Sequence, residues 1–209
     1  MVSESRPKPR ARLHEGPALA ISIALAIAVV ALVCVWWTGG SESGVRAAIR
    51  FTARTSFALF ALAYSASALD QLIPYAFTRW QRSNRRYLGL AFAASHIVHA
   101  GAIGALAVWH APALREHVRH TNVIPGLIGY LFIAAMAATS FDCSARAIGP
   151  RAWRWLHALG GFYLWLSFLK SFGSRIAVSP VYGLPVLALM AIMALRLVAK
   201  LSKSSPRRV

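Results

Sequence analysis

Six blocks of about twenty consecutive, mostly apolar residues run through this chain, and they limit its fold more than any other feature. They span Pro17–Trp37, Thr55–Phe77, Leu88–Trp109, Thr121–Phe141, Trp153–Phe172 and Pro180–Ala199. About twenty residues at 1.5 Å per residue is the length that crosses a hydrocarbon core of ~30 Å. The connections are short and hold breakers: Gly39-Gly40 and Ser41–Gly44, Pro112, Gly149-Pro150, Ser179-Pro180. The predicted fold class is an all-α membrane protein, a bundle of six transmembrane helices. Residues 17–199 form one domain between basic tails at 1–16 and 200–209. Composition agrees, with 57% hydrophobic and 14% charged residues, against about 25% charged in soluble domains. The basic N-terminal tail leads straight into a full-length apolar segment, which reads as a retained first helix.

Cationic residues set the expected orientation. Arg6, Lys8, Arg10 and Arg12, Arg79, Arg82, Arg85 and Arg86, Arg146, Arg151 and Arg154, and Lys200, Lys203, Arg207 and Arg208 fall on one side. Arg46, Arg50, Arg54, Arg115, Arg119, Lys170 and Arg175 fall on the other. This bias predicts cytoplasmic termini by the positive-inside rule. The same dispersal over helix-flanking loops reads the net charge of +17 as orientation and contact with the lipid bilayer, not nucleic-acid binding. Cys34 and Cys143 are too few and too separated for a disulfide framework.

Ionisable residues at membrane depth are costly and tend to mark function. Here they are Asp70, His96, His99, His157 and Lys170. His96 and His99 stand at i, i+3 on one helix face, and His157 lies about one turn into the fifth segment. The third and fifth segments run parallel in the six-helix topology, each introduced by arginines and aromatics. Imidazoles facing each other across parallel helices suit a six-coordinate haem iron, with Arg85 and Arg86 available to its propionates. The alternative is an ordinary interhelical hydrogen bond. Asp70 is expected to pair with Arg79 or Arg82. His110, His117 and His120 fall with Arg115 and Arg119 in a polar connection that reads as a wet loop, or as a docking or metal-catching surface.

Arg85-Arg86-Tyr87-Leu88-Gly89-Leu90, followed by Phe92 and His99, resembles the R-R-x-L-G-L…H signature of the ferric-reductase-like transmembrane domain. Phe51-Thr52-Ala53-Arg54-Thr55 resembles F-T-G-R-T. Ala138-Thr139-Ser140 and Ile148–His157 resemble T-S…L-G-x-x-W-x-x-L-H of the haem-binding membrane subunit of the periplasmic methionine sulfoxide reductase system (the YedZ/MsrQ family). The similarity covers about residues 45–200. It implies a haem-b-binding electron-transfer subunit of an oxidoreductase in the bacterial inner membrane. Such a subunit passes electrons from a cytoplasmic flavin reductase or quinol to a separate periplasmic redox partner. No motif supports FMN, and the chain has no nucleotide-binding fingerprint.

The chain departs from the family at Lys170, where relatives carry a second histidine thirteen residues beyond the L-H motif. Measured from Arg85 and Arg151, His99 lies ~21 Å along its segment, His96 ~16 Å, His157 ~9 Å and Lys170 ~28 Å. Three readings follow. Haem is held by His99 with a weak, absent or Lys170 sixth ligand; it has shifted to His96 or His99 with His157; or it is lost. In the last reading the chain is a degenerate member acting as a scaffold or transporter, and Lys170 simply snorkels to the head groups.

Overall fold

The computed structural model describes residues 15–119 and 123–204. Among them the chain is helical throughout: α1 (Gly16–Trp37), α2 (Glu42–Leu72), α3 (Ala76–Ser83), α4 (Arg85–Trp109), α5 (Ala111–Arg119), α6 (Val123–Ala138), α7 (Asp142–Gly173) and α8 (Gly183–Ser204), the last preceded by a 3-10 turn at Pro180–Tyr182. Each of the six apolar blocks lies mainly on one of α1, α2, α4, α6, α7 and α8. Three stretches are each long and apolar enough to cross a membrane: Gly16–Trp37, Arg85–Trp109 and Pro180–Lys203. The pair α6–α7, bent by 114°, qualifies as a fourth. Arg46, Arg50, Arg54 and Asp70 make α2 too polar to qualify by composition, and α6 with 16 residues is too short alone.

Several boundaries differ from the sequence expectation. α2 begins thirteen residues before Thr55. The Ser41 hydroxyl accepts the Gly44 amide at its N-cap (3.3 Å), and Glu42 pairs with Arg46 one turn on (2.6 Å), so residues read as a loop start a helix. α2 ends at Leu72 because Ile73 precedes Pro74 and leaves the helical region (φ −137°, ψ 72°). The expected connections 78–87 and 110–120 hold most of α3 and all of α5. Gly149 breaks α7 at φ 77°, ψ 160°, a region open to glycine alone, and Pro150 restarts the helix.

The centre of the bundle is the antiparallel α2–α4 pair. Val45, Ala48, Thr52, Ser56 and Leu59 form the buried stripe of α2, and Leu88, Phe92, Ser95, Ala102 and Leu106 that of α4. Steps of three and four residues keep these positions on one face, and small residues let the backbones approach. α1 closes against both. A side chain at Gly44 would lie 2.8 Å from the Cys34 carbonyl, so only glycine admits this α1–α2 contact. Gly16 anchors the other end through its amide to Asn84 Oδ1 (2.9 Å). α6 and α7 form a second antiparallel pair, held by Trp153 Nε1 to the Thr139 carbonyl (2.9 Å) and Tyr163 Oη to the Pro125 carbonyl (2.8 Å). α8 joins α7 through Trp165 Nε1 to the Leu189 carbonyl (3.0 Å). Outward faces carry Leu25, Val29, Leu32, Leu131, Leu187 and Leu197, all more than half exposed. That much bare aliphatic surface suits lipid contact.

Candidate functional site

The α2–α4 seam positions the histidines. Ser95 Oγ meets Ser56 Oγ at 2.7 Å and Thr55 Oγ1 at 3.3 Å. One turn along, Thr52 Oγ1 lies 2.8 Å from His99 Nδ1. Thr52 is fully buried and has a single hydroxyl proton, which it donates to the Ala48 carbonyl at 2.8 Å. Its oxygen therefore accepts from Nδ1–H of His99. This network assigns His99 the Nδ1–H tautomer and leaves Nε2 with a free lone pair.

His96 sits 6.0 Å from His99, centroid to centroid, among aromatic rings. Phe92 is 4.5 Å away, Tyr130 of α6 5.7 Å and Phe168 of α7 6.3 Å. Its buried Nδ1 makes no hydrogen bond of normal geometry, an arrangement that is costly unless something else compensates it. Phe57, Phe60, Phe168 and Phe172 continue the aromatic packing between α2 and α7, with centroids 5.0 to 6.2 Å apart.

His157 is elsewhere. It stacks on Trp153 at 4.3 Å and bonds Thr139 Oγ1 at 3.2 Å. Tyr130, which marks the depth of His96, precedes Thr139 by nine residues on and just beyond α6, or about 13 Å of rise. On α7, Phe168 lies eleven residues from His157, about 16 Å. Both measures separate His157 from the His96–His99 pair by several helical turns. The structure thus brings His96 and His99 together and leaves His157 near the opposite end, within electrostatic reach of Arg85. On these rises His157 does not adjoin the His96–His99 pair.

Lys170 is exposed on α7, as a snorkelling lysine would be. Arg85 donates to Ser67 Oγ at 3.1 Å, and Arg86 to Asp142 at 3.0 Å. Arg85 is fourteen residues, about 21 Å, from His99. Asp70 pairs with Arg82 at 3.1 Å, one of the two partners expected for it. His110 Nε2 meets the Gly40 carbonyl at 2.9 Å, tying the α4 end to the α1–α2 turn. The His117 side chain and all of His120 lie outside the described residues.

Thr52, Ser95, Tyr130 and Arg196 complete the polar interior. Thr52 falls inside the F-T-x-R-T resemblance, though its role there comes from a pairing 47 residues away that periodicity does not encode. The donor set suits one axial histidine of a haem: Nε2 of His99 is free, and the ring is held by the outer-shell hydrogen bond that metal-ligating histidines use. It does not form a bis-histidine pair. Among the described residues no three His, Cys, Asp or Glu side chains are gathered to chelate a bare ion. A haem, bringing four nitrogens of its own, does not require that. No protein-family profile matches the chain, and no curated protein or solved structure is significantly similar to it.

Proposed function

We propose that the chain is a haem-b-binding electron-transfer subunit of a membrane oxidoreductase, in the ferric-reductase-like mould and nearest the YedZ/MsrQ family. It would cross the bacterial inner membrane six times with both termini in the cytoplasm. Electrons would come from a cytoplasmic flavin donor or quinol and leave to a periplasmic partner. The observation that supports this reading is the Thr52–His99 hydrogen bond of 2.8 Å. It fixes the tautomer that presents an unprotonated nitrogen, inside the buried α2–α4 seam. When bound, haem supplies reversible one-electron chemistry. His99 would hold it and Thr52 would orient His99, while Phe92, Tyr130 and Phe168 surround the ring of His96 beside it. Arg85 and Arg86 are too far along α4 to serve carboxylates near His99. They serve the end of the bundle where His157 lies.

A second reading has its own support. Phe57, Phe60, Phe92 and Phe168 pack the interior ring on ring, as they would in a haem-free scaffold or transporter. The absorption spectrum of protein purified with haem supplied during expression separates the two. A dithionite-reduced α-band lost in His99→Ala supports the first. A featureless spectrum from a monodisperse, helical protein removes it.

A further inference from the structure

The last turns of α2 collect three arginines from three other helices. Arg196, well inside α8, donates to the Tyr64 carbonyl at 2.7 Å, with its guanidinium carbon 3.8 Å from the Tyr64 ring centroid. Arg85, at the start of α4, donates to Ser67 Oγ at 3.1 Å. Arg82 of α3 pairs with Asp70 at 3.1 Å. Tyr64, Ser67 and Asp70 follow one another at i, i+3 and i+6, so the three anchor points lie within about 9 Å of rise. Arg85 stands within electrostatic reach of both Arg82 and Arg196.

These three cations have one carboxylate among them, and Arg82 already engages it. Arg196 faces a carbonyl and a ring, and Arg85 a hydroxyl. All are neutral, and each leaves most of the five guanidinium donors unused. The cluster cannot simply spread apart. Gln71 Nε2 bonds the Ala199 carbonyl at 2.7 Å and pins α8 to α2 one turn beyond Arg196. The Tyr64 ring is wedged on Gly161, where an added methyl would meet it at 2.9 Å. The site is also open, since Arg82 and Arg85 are exposed and Arg196 is half-buried. Beside it α8 presents Leu197, Val198 and Leu201 outward, each more than half exposed.

An excess of two positive charges, aimed from fixed helices to the bundle flank beside bare aliphatic surface, matches an amphiphile with an anionic head. Guanidinium forks match the oxygens of a phosphodiester, and basic pockets between transmembrane helices take anionic head groups. We propose that Arg85, Arg196 and Arg82 form a binding site for the phosphate of an anionic phospholipid, whose acyl chains lie along α8. The site is independent of haem.

Native mass spectrometry of the full chain in mild detergent tests this, with phosphatidylglycerol and phosphatidylcholine of identical acyl chains as probes. The expected result is one phosphatidylglycerol retained, with about a tenfold preference over phosphatidylcholine. Arg85→Gln and Arg196→Gln should each cut that preference by about fivefold, while Arg146→Gln, at an exposed arginine elsewhere, leaves it intact. Arg85 holds only an exposed serine contact, so its variant keeps the test decisive if Arg196→Gln does not fold. Equal retention of the two lipids by the wild type overturns the proposal, as does wild-type preference in Arg85→Gln. Displacement of the lipid by millimolar inorganic phosphate would mark a free-anion site and also overturn it.

Discussion

Replacing Thr52 by valine keeps the side-chain volume and removes the oxygen that accepts from His99. Thr52 has no exposed surface, so water cannot take the place of the lost acceptor. A buried N–H left without a partner costs about 1–3 kcal/mol. The ring also loses its tautomer preference, because nothing at 2.8 Å then distinguishes Nδ1–H from Nε2–H. Outer-shell substitutions of this kind weaken metal binding about 10–100-fold, or roughly 1.4–2.7 kcal/mol at ~1.4 kcal/mol per decade. Haemin titration of purified protein, followed in the Soret band, should give a ten- to hundredfold weaker dissociation constant for Thr52→Val. Thr52→Ser, which keeps the hydroxyl, should restore most of it. Nitrogen-15 spectra of histidine-labelled, haem-free protein add a readout independent of cofactor: protonated Nδ1 for His99 in the wild type and a tautomer mixture in Thr52→Val. Haem binding within about twofold of wild type in Thr52→Val, or an Nε2–H tautomer in the wild type, would refute the reasoning.

Four further outcomes are expected. Reporter fusions after Arg86 and after Val209 should read cytoplasmic and one after Glu116 external, and the reverse pattern would invert the proposed direction of electron flow. Gly161→Ala should destabilise by about 1 kcal/mol in SDS unfolding, because overpacking the Tyr64 ring (1–3 kcal/mol) outweighs the ~1 kcal/mol helix gain. Gly160→Ala should cost less than Gly161→Ala, since its 2.9 Å contact is with the flexible Met136 side chain and the Phe132 ring at 3.1 Å need give only a few tenths of an ångström. Lys170→Ala should leave stability within about 0.5 kcal/mol and any haem spectrum unchanged, as expected for an exposed side chain; a shifted spectrum would make Lys170 a ligand.

The sequence announces the helices more readily than their ends. Each apolar block lies mainly on a helix among the described residues, because twenty apolar residues leave the backbone little alternative to bonding within its own segment. The start of α2 escapes this reading because Arg46, Arg50 and Arg54 look like loop charge. Yet Val45, Ala48 and Thr52 already mark its buried stripe, and Ser41 with Glu42 its N-terminus. The Asp70–Arg82 pair was legible from the scarcity of acids. Counting rise along the segments also set His157 and His99 at different depths, and the structure places them so. What remained hidden was lateral. No periodicity states that Thr52 faces His99, that Tyr130 covers His96, or that Arg196 reaches the carbonyl of Tyr64, because those contacts depend on how helices are arranged around one another.

The antiparallel fit of α6 and α7 has a consequence for biogenesis. At 16 residues, α6 is about 24 Å long, short of the hydrocarbon thickness. Its glycine and methionine face meets α7 closely, with Gly129 against Leu164 and Met136 against Gly160. A nascent α6 leaving the translocation machinery has no such surface to lean on until α7 has also been synthesised. The corner at Gly149-Pro150 then turns the following residues upright beside it. On the proposed six-span topology the two segments should therefore partition into the bilayer together as a helical hairpin, and a chain truncated before Trp153 should leave α6 at the interface, exposed to quality-control proteases.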